Sequence, residues 1–325
     1  MSNKSAKLDR YDKRLIVELD SNSRQSFAVL SRKLAIPEET VRYRMNSLIE
    51  RGIIAGFFTV IDAGQLGNGY YKILLKLHNV DESRVDQIIK YLVECSAVNW
   101  VARFDAHFDI GFTIRIMRIV ELSEFIDELR RRFTRYINKL TFAINIETEF
   151  LSRNYLGGAT KKRETSAAIK APASPAKLDQ IGLDILRKLS TNTRCPATDI
   201  AKSVGITSET VQQRIKKMER QRIIVRYSLM IDTHALSQIN YYVLLYLNYS
   251  TTERLCSFVD YCRVHPRISY LIKALGEWDY ELNLEVDSLE QYRSIMMELT
   301  RKYSDIIRDY QGMPVSKVLK LTFEP

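Results

Sequence analysis

The chain has 325 residues, 46% of them hydrophobic, and a formal net charge of +10. This length and composition favour two or more domains with ordinary globular cores. No run of about 18 apolar residues is present, so no membrane-spanning helix is predicted. No apolar segment follows Met1, so we expect no signal peptide and a cytoplasmic protein.

The cysteines favour reduced thiols rather than disulfides or a metal site. None of the four forms a C-x-x-C pair. Cys256, Cys262 and His265 lie close in sequence, but a helix would turn residues six apart toward different sides. We therefore predict no metal site and no cofactor.

Positive charge is concentrated in separate blocks of the chain. Residues 1–60 carry +4 and residues 177–230 carry +6, whereas residues 61–150 carry −1 and residues 231–325 carry −3. The short segment 151–176 adds +4. Such clustering is typical of proteins that bind a polyanion.

The first block predicts three helices and a strand. Asp9 suits the N-cap of the first helix, Ser26 that of the second, and Pro37 separates the second from the third. The third helix ends before Gly52, and an apolar run over 53–61 predicts a wing strand. Three short helices with a tight turn before the third indicate a helix-turn-helix.

The third helix has an apolar side and a polar side. Val41, Met45 and Leu48 recur at helical spacing and should face the core. Arg42, Tyr43 and Asn46 then point outward, with Arg44 at the edge. Arginine and asparagine carry donors that match guanine and adenine edges in the major groove, although an ordinary solvated helix face is the alternative.

The following residues predict an α+β unit. Tyr71, Ile73, Leu75 and Leu77 alternate as in a strand with one buried face. The next elements are a helix over 85–93, strands over 98–104 and 110–116, a helix over 123–136 and a strand over 142–150. The order βαββαβ is a ferredoxin-like layout.

The chain then repeats itself at an offset of 170 residues. Residues 8–62 and 178–232 share 14 identical positions of 55 without a gap. The period is too long for a solenoid, so each copy should be a complete structural unit. The predicted domains are two winged helix-turn-helix units (1–62 and 177–232) and two ferredoxin-like units (63–151 and 233–325), with a flexible linker over 152–176.

The second copy has its own outward-facing residues on the third helix. Thr207 suits the N-cap of this helix, and Val211, Ile215 and Met218 form its inner stripe. The residues expected to contact DNA in this copy are Gln212, Gln213, Arg214, Lys216 and Lys217. Because the two helices differ, we predict an operator that is not a palindrome, with Arg44 and Arg214 contacting phosphates.

These residues carry a specific resemblance. Leu8-Asp9, Arg24, residues 40–44 and residues 52–57, with their counterparts in the second copy, resemble the DNA-binding domain of the Lrp/AsnC transcriptional regulators. The ferredoxin-like units resemble the RAM domain of that family. The resemblance implies a cytoplasmic, non-enzymatic regulator of the α+β class that binds double-stranded DNA, with no catalytic residues.

The resemblance also implies a candidate effector site. In the family, the turn between the second and third RAM strands often carries Gly-x-x-Asp and lies at an amino-acid site. Gly276 and Asp279 match that motif, whereas Asp109 follows Ala106 in the first copy. We therefore expect amino-acid sensing, where present, to favour the second RAM domain; a tight turn with a capping aspartate is the alternative.

Two further expectations concern assembly and the competing function. The two RAM domains should pair within one chain, with a higher homo-oligomer as an additional state. Siroheme decarboxylases share the helix-turn-helix and RAM layout, so a tetrapyrrole enzyme is the alternative function. Their active sites rely on histidine and arginine, and this chain has four histidines without a histidine-rich strand.

Overall fold

A computed structural model describes residues 8–156, 167–170, 175–248 and 250–325. Residues 1–7 of the first predicted domain, and residues 157–166 and 171–174 of the predicted linker, lie outside the described residues. No helix in the described ranges is both long and apolar enough to cross a membrane.

Each copy begins with the three predicted helices. In the first copy they are α1 (Arg10–Ser21), α2 (Phe27–Leu34) and α3 (Glu38–Glu50). Asp9 caps α1 by accepting from the Asp12 amide at 2.8 Å, and Ser26 caps α2, as predicted. Pro37 precedes α3 without a side-chain cap, because proline carries no hydroxyl to accept the bond.

The predicted wing strands pair with each other rather than within their own copies. β1 (Ile54–Ile61) of the first copy runs antiparallel to its counterpart in the second copy, Ile224–Ile231. Apolar side chains of β1, among them Val60 and Ile61, join the core of the second helix-turn-helix unit. The strands are confirmed, but they form one shared two-stranded sheet that joins the two DNA-binding units.

The RAM domain of the first copy has the predicted βαββαβ order. Its elements are β2 (Gly69–Leu77), α4 (Glu82–Glu94), β3 (Val98–Phe104), β4 (Ile110–Ile116), α5 (Ile119–Phe133) and β5 (Ile137–Phe150). Both helices pack on one face of the sheet through a core that contains Ile73, Phe112 and Leu129. The ferredoxin-like fold class is therefore confirmed.

The second copy repeats the same elements. After the short strand β6 (Ala167–Lys170), they are α6 (Gln180–Thr191), α7 (Ala197–Val204), α8 (Ser208–Arg220), β7 (Ile224–Ile231), β8 (Ile239–Leu247), α9 (Thr252–Val264), β9 (Ile268–Gly276), β10 (Tyr280–Val286), α10 (Leu289–Lys302) and β11 (Ile307–Leu321). β6 precedes the repeat and adds to the end of β5.

The predicted flexible linker needs a correction. Residues 167–170 form β6, paired with residues 147–150 of β5. The side chain of Ile169 is buried in the second helix-turn-helix core, and Leu156 is buried in the first. A search for periodicity misses such short apolar contacts because a single buried side chain has no period. The domain bounds otherwise stay a prediction.

The two RAM sheets close into one barrel within the chain. β3 pairs with β11 and β5 pairs with β9, so each sheet edge is bonded to the other sheet. The ring runs β2-β4-β3-β11-β8-β10-β9-β5 and returns to β2, with every neighbouring pair antiparallel. The expected pairing of the RAM domains inside one chain is thus present. One face of each sheet therefore lines the interior of the barrel. A higher homo-oligomer stays a prediction.

Candidate nucleic-acid interface

The α3 helix presents the predicted residues to solvent. Val41, Met45 and Leu48 are buried in the first helix-turn-helix core. Arg42, Tyr43 and Asn46 are exposed on the opposite side. The Tyr43 ring is 73% exposed, which is unusual for an aromatic side chain without a partner. This face is free to contact DNA.

The α8 helix presents a different set in the same place. Thr207 caps it by accepting from the Thr210 amide at 3.2 Å, as predicted. Its inner stripe is buried, and its outward side chains are all exposed: Gln212, Gln213, Lys216 and Lys217. The second unit therefore offers two amides and two ammonium groups where the first offers one guanidinium, one phenol and one amide.

Arg44 and Arg214 are engaged inside their own units. Arg44 Nη1 lies 2.7 Å from a carboxylate oxygen of Asp9 and 2.7 Å from one of Asp12. Arg214 Nη1 lies 2.8 Å from Asp179, the counterpart of Asp9. The phosphate role of these arginines stays a prediction; in this structure carboxylates hold both side chains and tie the third helix to the start of the first.

The carboxylates respond to these ion pairs. The pKa of Asp179 is lowered by the hydrogen bond from Arg214 and then by the Gly182 amide. At Asp9, burial opposes ionisation, but the Asp12 amide and the Arg44 guanidinium outweigh it and lower the pKa. Both carboxylates are therefore ionised at neutral pH and neutralise much of the charge of Arg44 and Arg214.

A reciprocal pair of arginines fixes the two units to each other. Arg24 donates to the carbonyls of Thr193 and Cys195 in the second copy. Its counterpart Arg194 donates to the carbonyls of Ser23 and Gln25 in the first. Each carbonyl of one set is the 170-residue counterpart of a carbonyl of the other. The junction therefore has a pseudo-two-fold axis.

Positive charge also gathers where this junction meets α3. The guanidinium carbons of Arg42 and Arg194 lie 4.2 and 5.0 Å from the centroid of the Phe27 ring. Burial, followed by the charges of Arg24 and Arg42, lowers the pKa of Arg194. Stacking on Phe27 holds Arg42 in place at the start of the recognition helix. Sequence reasoning placed Arg42 on the surface but missed this support.

The turns before and after the recognition helices use a left-handed residue in both copies. Ala35 (φ +56°) and Gly205 (φ +71°) occupy the same position before α3 and α8. Gly52 (φ +70°) and Arg222 (φ +59°) occupy the same position after them. Arg222 therefore preserves the cap geometry that a glycine provides in the first copy, at a cost in backbone strain.

The candidate effector loops have structural partners in both copies. Asp109 Oδ2 accepts from the Leu77 amide and Asp279 Oδ2 from the Leu247 amide, each at 2.7 Å. Gly276 has φ +148°, and a Cβ there would lie 2.9 Å from the Ala143 Cα. The glycine is thus explained by the close approach of β5. Amino-acid binding at Gly276, Asp279 and Asp109 stays a prediction.

The remaining chemistry-bearing residues give no reactive cluster. Among the described residues no group of three His, Cys, Asp or Glu side chains could hold a metal ion. All four cysteines are free, and Cys256 is exposed. His107 is exposed at its turn.

Comparisons with known proteins agree with this geometry. The AsnC-type helix-turn-helix domain matches residues 178–219, and the winged helix-turn-helix DNA-binding domain matches residues 8–55. An uncharacterised HTH-type transcriptional regulator of Pyrococcus horikoshii is 31% identical over 125 residues, which are 38% of this chain and 83% of that protein. The proline dehydrogenase transcriptional activator of Rhodobacter capsulatus is 31% identical over 122 residues, 37% of this chain and 79% of that protein.

Some solved structures resemble nearly the whole chain. The siroheme decarboxylase NirDL superposes with a TM-score of 0.63 at 14% identity and covers 96% of this chain and 93% of its own. At that identity the likeness concerns the fold: a tandem arrangement of both copies. The sequence relatives, by contrast, match 119 to 125 residues, which is less than one 170-residue period.

Proposed function

The chain belongs to the Lrp/AsnC family of DNA-binding transcriptional regulators, and on that premise we propose that both recognition helices bind one asymmetric DNA site together. The observation that carries the proposal is the junction between the two units. The shared β1–β7 sheet and the reciprocal Arg24 and Arg194 contacts fix the unit that carries α3 to the unit that carries α8. One molecule therefore brings two recognition helices to the DNA in a fixed arrangement.

The two half-sites differ because the exposed side chains differ. Arg42 has the donors for guanine O6 and N7, whereas Gln212 and Gln213 suit adenine N6 and N7. Each good bidentate pair contributes about 1–3 kcal/mol of discrimination against the wrong base. We expect one half-site richer in guanine contacts and the other richer in adenine contacts.

Beyond Arg44 and Arg214, phosphate contacts are expected from cations that no carboxylate holds. Lys216 and Lys217 are exposed on α8, and Arg42 stacks on Phe27 without an ion pair within the described part of the chain. Because each neutralised phosphate releases counterions, affinity should fall steeply with salt. Neutralisation of about 6–10 phosphates would lower affinity ~10³–10⁵-fold between 50 and 200 mM salt.

Selection from a random DNA library tests the proposal. The wild-type chain should recover a site with two unlike halves. The double variant Gln212→Ala, Gln213→Ala should relax one half, and Arg42→Ala, Tyr43→Ala should relax the other. Arg130→Ala, which removes an exposed charge at the end of α5, is the matched control and should leave both halves intact.

Two results would end this proposal. One is recovery of a perfect inverted repeat by the wild-type chain. The other is a site whose two halves both stay unchanged in the Gln212→Ala, Gln213→Ala variant. A salt slope close to zero would separately remove the phosphate contribution.

The likeness of the whole chain to a siroheme decarboxylase keeps a second candidate function open. That likeness covers both copies, so a tetrapyrrole enzyme is a distinct hypothesis with its own test. Addition of siroheme to the purified chain should leave the Soret band unchanged, and a saturable shift would favour the enzyme.

A further inference from the structure

The interior of the barrel is only partly filled. One end is packed by apolar side chains from both copies, among them Phe104, Phe108, Trp278 and Met313. Beyond them lies a cavity of about 440 Å³, covered on its other side by the β1–β7 sheet through Phe58 and Leu229. Small-molecule sites have volumes of about 300–1,000 Å³, and eight-stranded barrels hold one small ligand.

A buried lysine faces this cavity without a hydrogen-bond partner. The side chain of Lys72 on β2 is 4% exposed, and its Nζ lies 3.5 Å from the centroid of the Trp100 ring. The nearest carboxylate oxygen, on Glu281, is 3.9 Å away. No acceptor lies within hydrogen-bond distance of Nζ in the described part of the chain. A buried ammonium of this kind is unfavourable unless something accepts its protons.

Glu281 on β10 is incompletely bonded as well. Its Oε1 accepts from Trp278 Nε1 at 2.8 Å, while its buried Oε2 has no partner. Burial raises the pKa of Glu281 to about 7, and burial lowers the pKa of Lys72 to about 8. Each group opposes the other's shift, but the 3.9 Å separation leaves both with unused hydrogen-bonding capacity.

More unpartnered polar atoms line the same cavity. They are the Oδ1 atoms of Asn99, Asn145 and Asn240 and the hydroxyl of Tyr242. Buried polar groups of folded proteins are almost always hydrogen-bonded, so a cluster of exceptions around one cavity needs an explanation. Ordered water is one explanation, and a bound molecule is another.

The Lys72–Glu281 pair exists only because the two copies differ. The counterpart of Lys72 is Tyr242, whose ring centroid lies 4.6 Å from Lys72 Nζ. A lysine at both positions would therefore bring two ammonium groups together near the pseudo-two-fold axis. The counterpart of Glu281 is Gly111, where a Cβ would lie 2.6 Å from the Phe104 ring. The interior is thus specialised rather than symmetric.

We propose that the barrel interior binds a small organic acid with an apolar or aromatic body. The carboxylate accepts from Lys72 Nζ and from the protonated Oε2 of Glu281, which leaves the bound cluster without net charge. The body lies between the rings of Trp100 and Tyr242 and the apolar roof formed by Phe58 and Leu229. This inference stands independently of DNA binding, because every contact lies beneath the wings.

The chain carries its own reporter for this site. Its two tryptophans are Trp100, beneath the Lys72 ammonium, and Trp278, bonded to Glu281. The full chain, without DNA, is titrated with phenylacetate, phenylacetamide and phenethylamine while tryptophan emission is recorded. We expect a saturable change with phenylacetate and an affinity for the amide and the amine lower by about tenfold or more.

Variants separate the ammonium from general packing. Lys72→Met should lose the phenylacetate response, whereas Glu281→Gln, which imitates the protonated carboxyl, should keep it. Lys273→Met is the matched control, because Lys273 lies on barrel strand β9 and is exposed. Thermal unfolding of each variant checks that it is folded.

Several outcomes overturn the proposal. They are no saturable response to millimolar phenylacetate, equal affinity for the acid and the amide, tighter binding of the amine, or an unchanged response in a folded Lys72→Met chain. Loss of the response in Glu281→Gln alone would also overturn it, since an ionised Glu281 would then be required. None of these results depends on whether the chain binds DNA.

Discussion

The two sides of the pseudo-two-fold junction are held together by different chemistry. On one side, Arg153 lies between Asp20 of α1 and Glu285 of β10, with Nη–O distances of 2.8 Å to both. Arg226 of β7 adds a contact to Asp20 at 3.1 Å. All four side chains are at most 10% exposed, so this is a buried ionic network.

The other side is aromatic in the corresponding region. There Phe323, the structural counterpart of Ser152 because β11 carries one more bulge than β5, stacks on Phe58 at 5.6 Å between ring centroids and meets Phe150 edge-on at 5.8 Å. The counterparts of Asp20 and Arg226 are Ser190 and Gly56. Ion pairs thus close one side of the junction and packed rings close the other. A chain with two copies permits this difference because a substitution in one copy leaves the other copy unchanged.

The largest expected effect comes from breaking the ionic side. Arg153→Met leaves Glu285 and part of Asp20 buried without their main partner, and removal of one member of a buried pair costs about 3–5 kcal/mol. Urea unfolding should show that loss. Because Phe323 is 8% exposed, Phe323→Ala should cost less than the ~3–5 kcal/mol of a fully buried phenylalanine. A loss below about 1 kcal/mol for Arg153→Met would contradict the contrast.

The reciprocal arginines should behave alike. Arg24→Met and Arg194→Met each remove two hydrogen bonds from a charged donor, and such bonds contribute about 1.5–3 kcal/mol. Because the accepting carbonyls are mutual counterparts, we expect the two variants to lose similar free energies of unfolding. If the two losses in free energy of unfolding differed by more than the smaller loss, the junction would be less symmetric than its hydrogen bonds indicate.

Glu281 should give the chain a pH dependence that its counterpart Gly111 cannot. Since the folded-state pKa of about 7 exceeds the usual 4.5, the folded state holds a proton that the unfolded state releases. The contribution of this group to stability is therefore greatest below pH 4.5 and falls as pH rises to about 7. The unfolding free energy of the wild type minus that of Glu281→Gln should fall between pH 4.5 and about 7. A difference that stays constant over this range would refute the raised pKa of Glu281.

The smallest effects concern the left-handed turn residues. Ala35→Gly and Arg222→Gly should each raise stability by about 0.5–1 kcal/mol, because glycine relieves strain but adds entropy to the unfolded chain. Gly205→Ala and Gly52→Ala should lower it by a similar amount, although a Cβ at either site meets no atom within 4 Å. Thermal melts of the four variants measure these changes. A copy in which glycine does not stabilise, or alanine does not destabilise, the turn would contradict the prediction.

Much of the fold could be predicted because the repeat supplies each element twice. The helix caps at Asp9, Ser26 and Thr207 follow from local sequence, and the structure confirms them. The closure of the barrel could not be predicted, since β3–β11 and β5–β9 join strands far apart in the chain. A hydrophobic pattern indicates which face of a strand is buried, but not which strand it pairs with.

The candidate site, like the fold, could be predicted from the sequence only in part. Periodicity placed Arg42 and Gln212 on exposed helix faces, but the carboxylate partner of Arg44 lies 35 residues away in sequence. Lys72 was missed for a related reason. In the alternating β2 strand it falls on the face opposite Ile73, which sequence reasoning assigns to solvent and which the closed barrel turns into an interior.

Barrel closure within one chain also removes mass action from the assembly of the DNA-binding pair. The strand pairs that join the copies form at the fixed effective concentration of a covalently linked partner, so dilution cannot separate them. Any dependence of the melting temperature on chain concentration would accordingly report association between chains, not the pairing of the two copies. A cell that holds only a few molecules would still have both recognition helices presented together, because no dissociation of one copy from the other limits how many pairs exist.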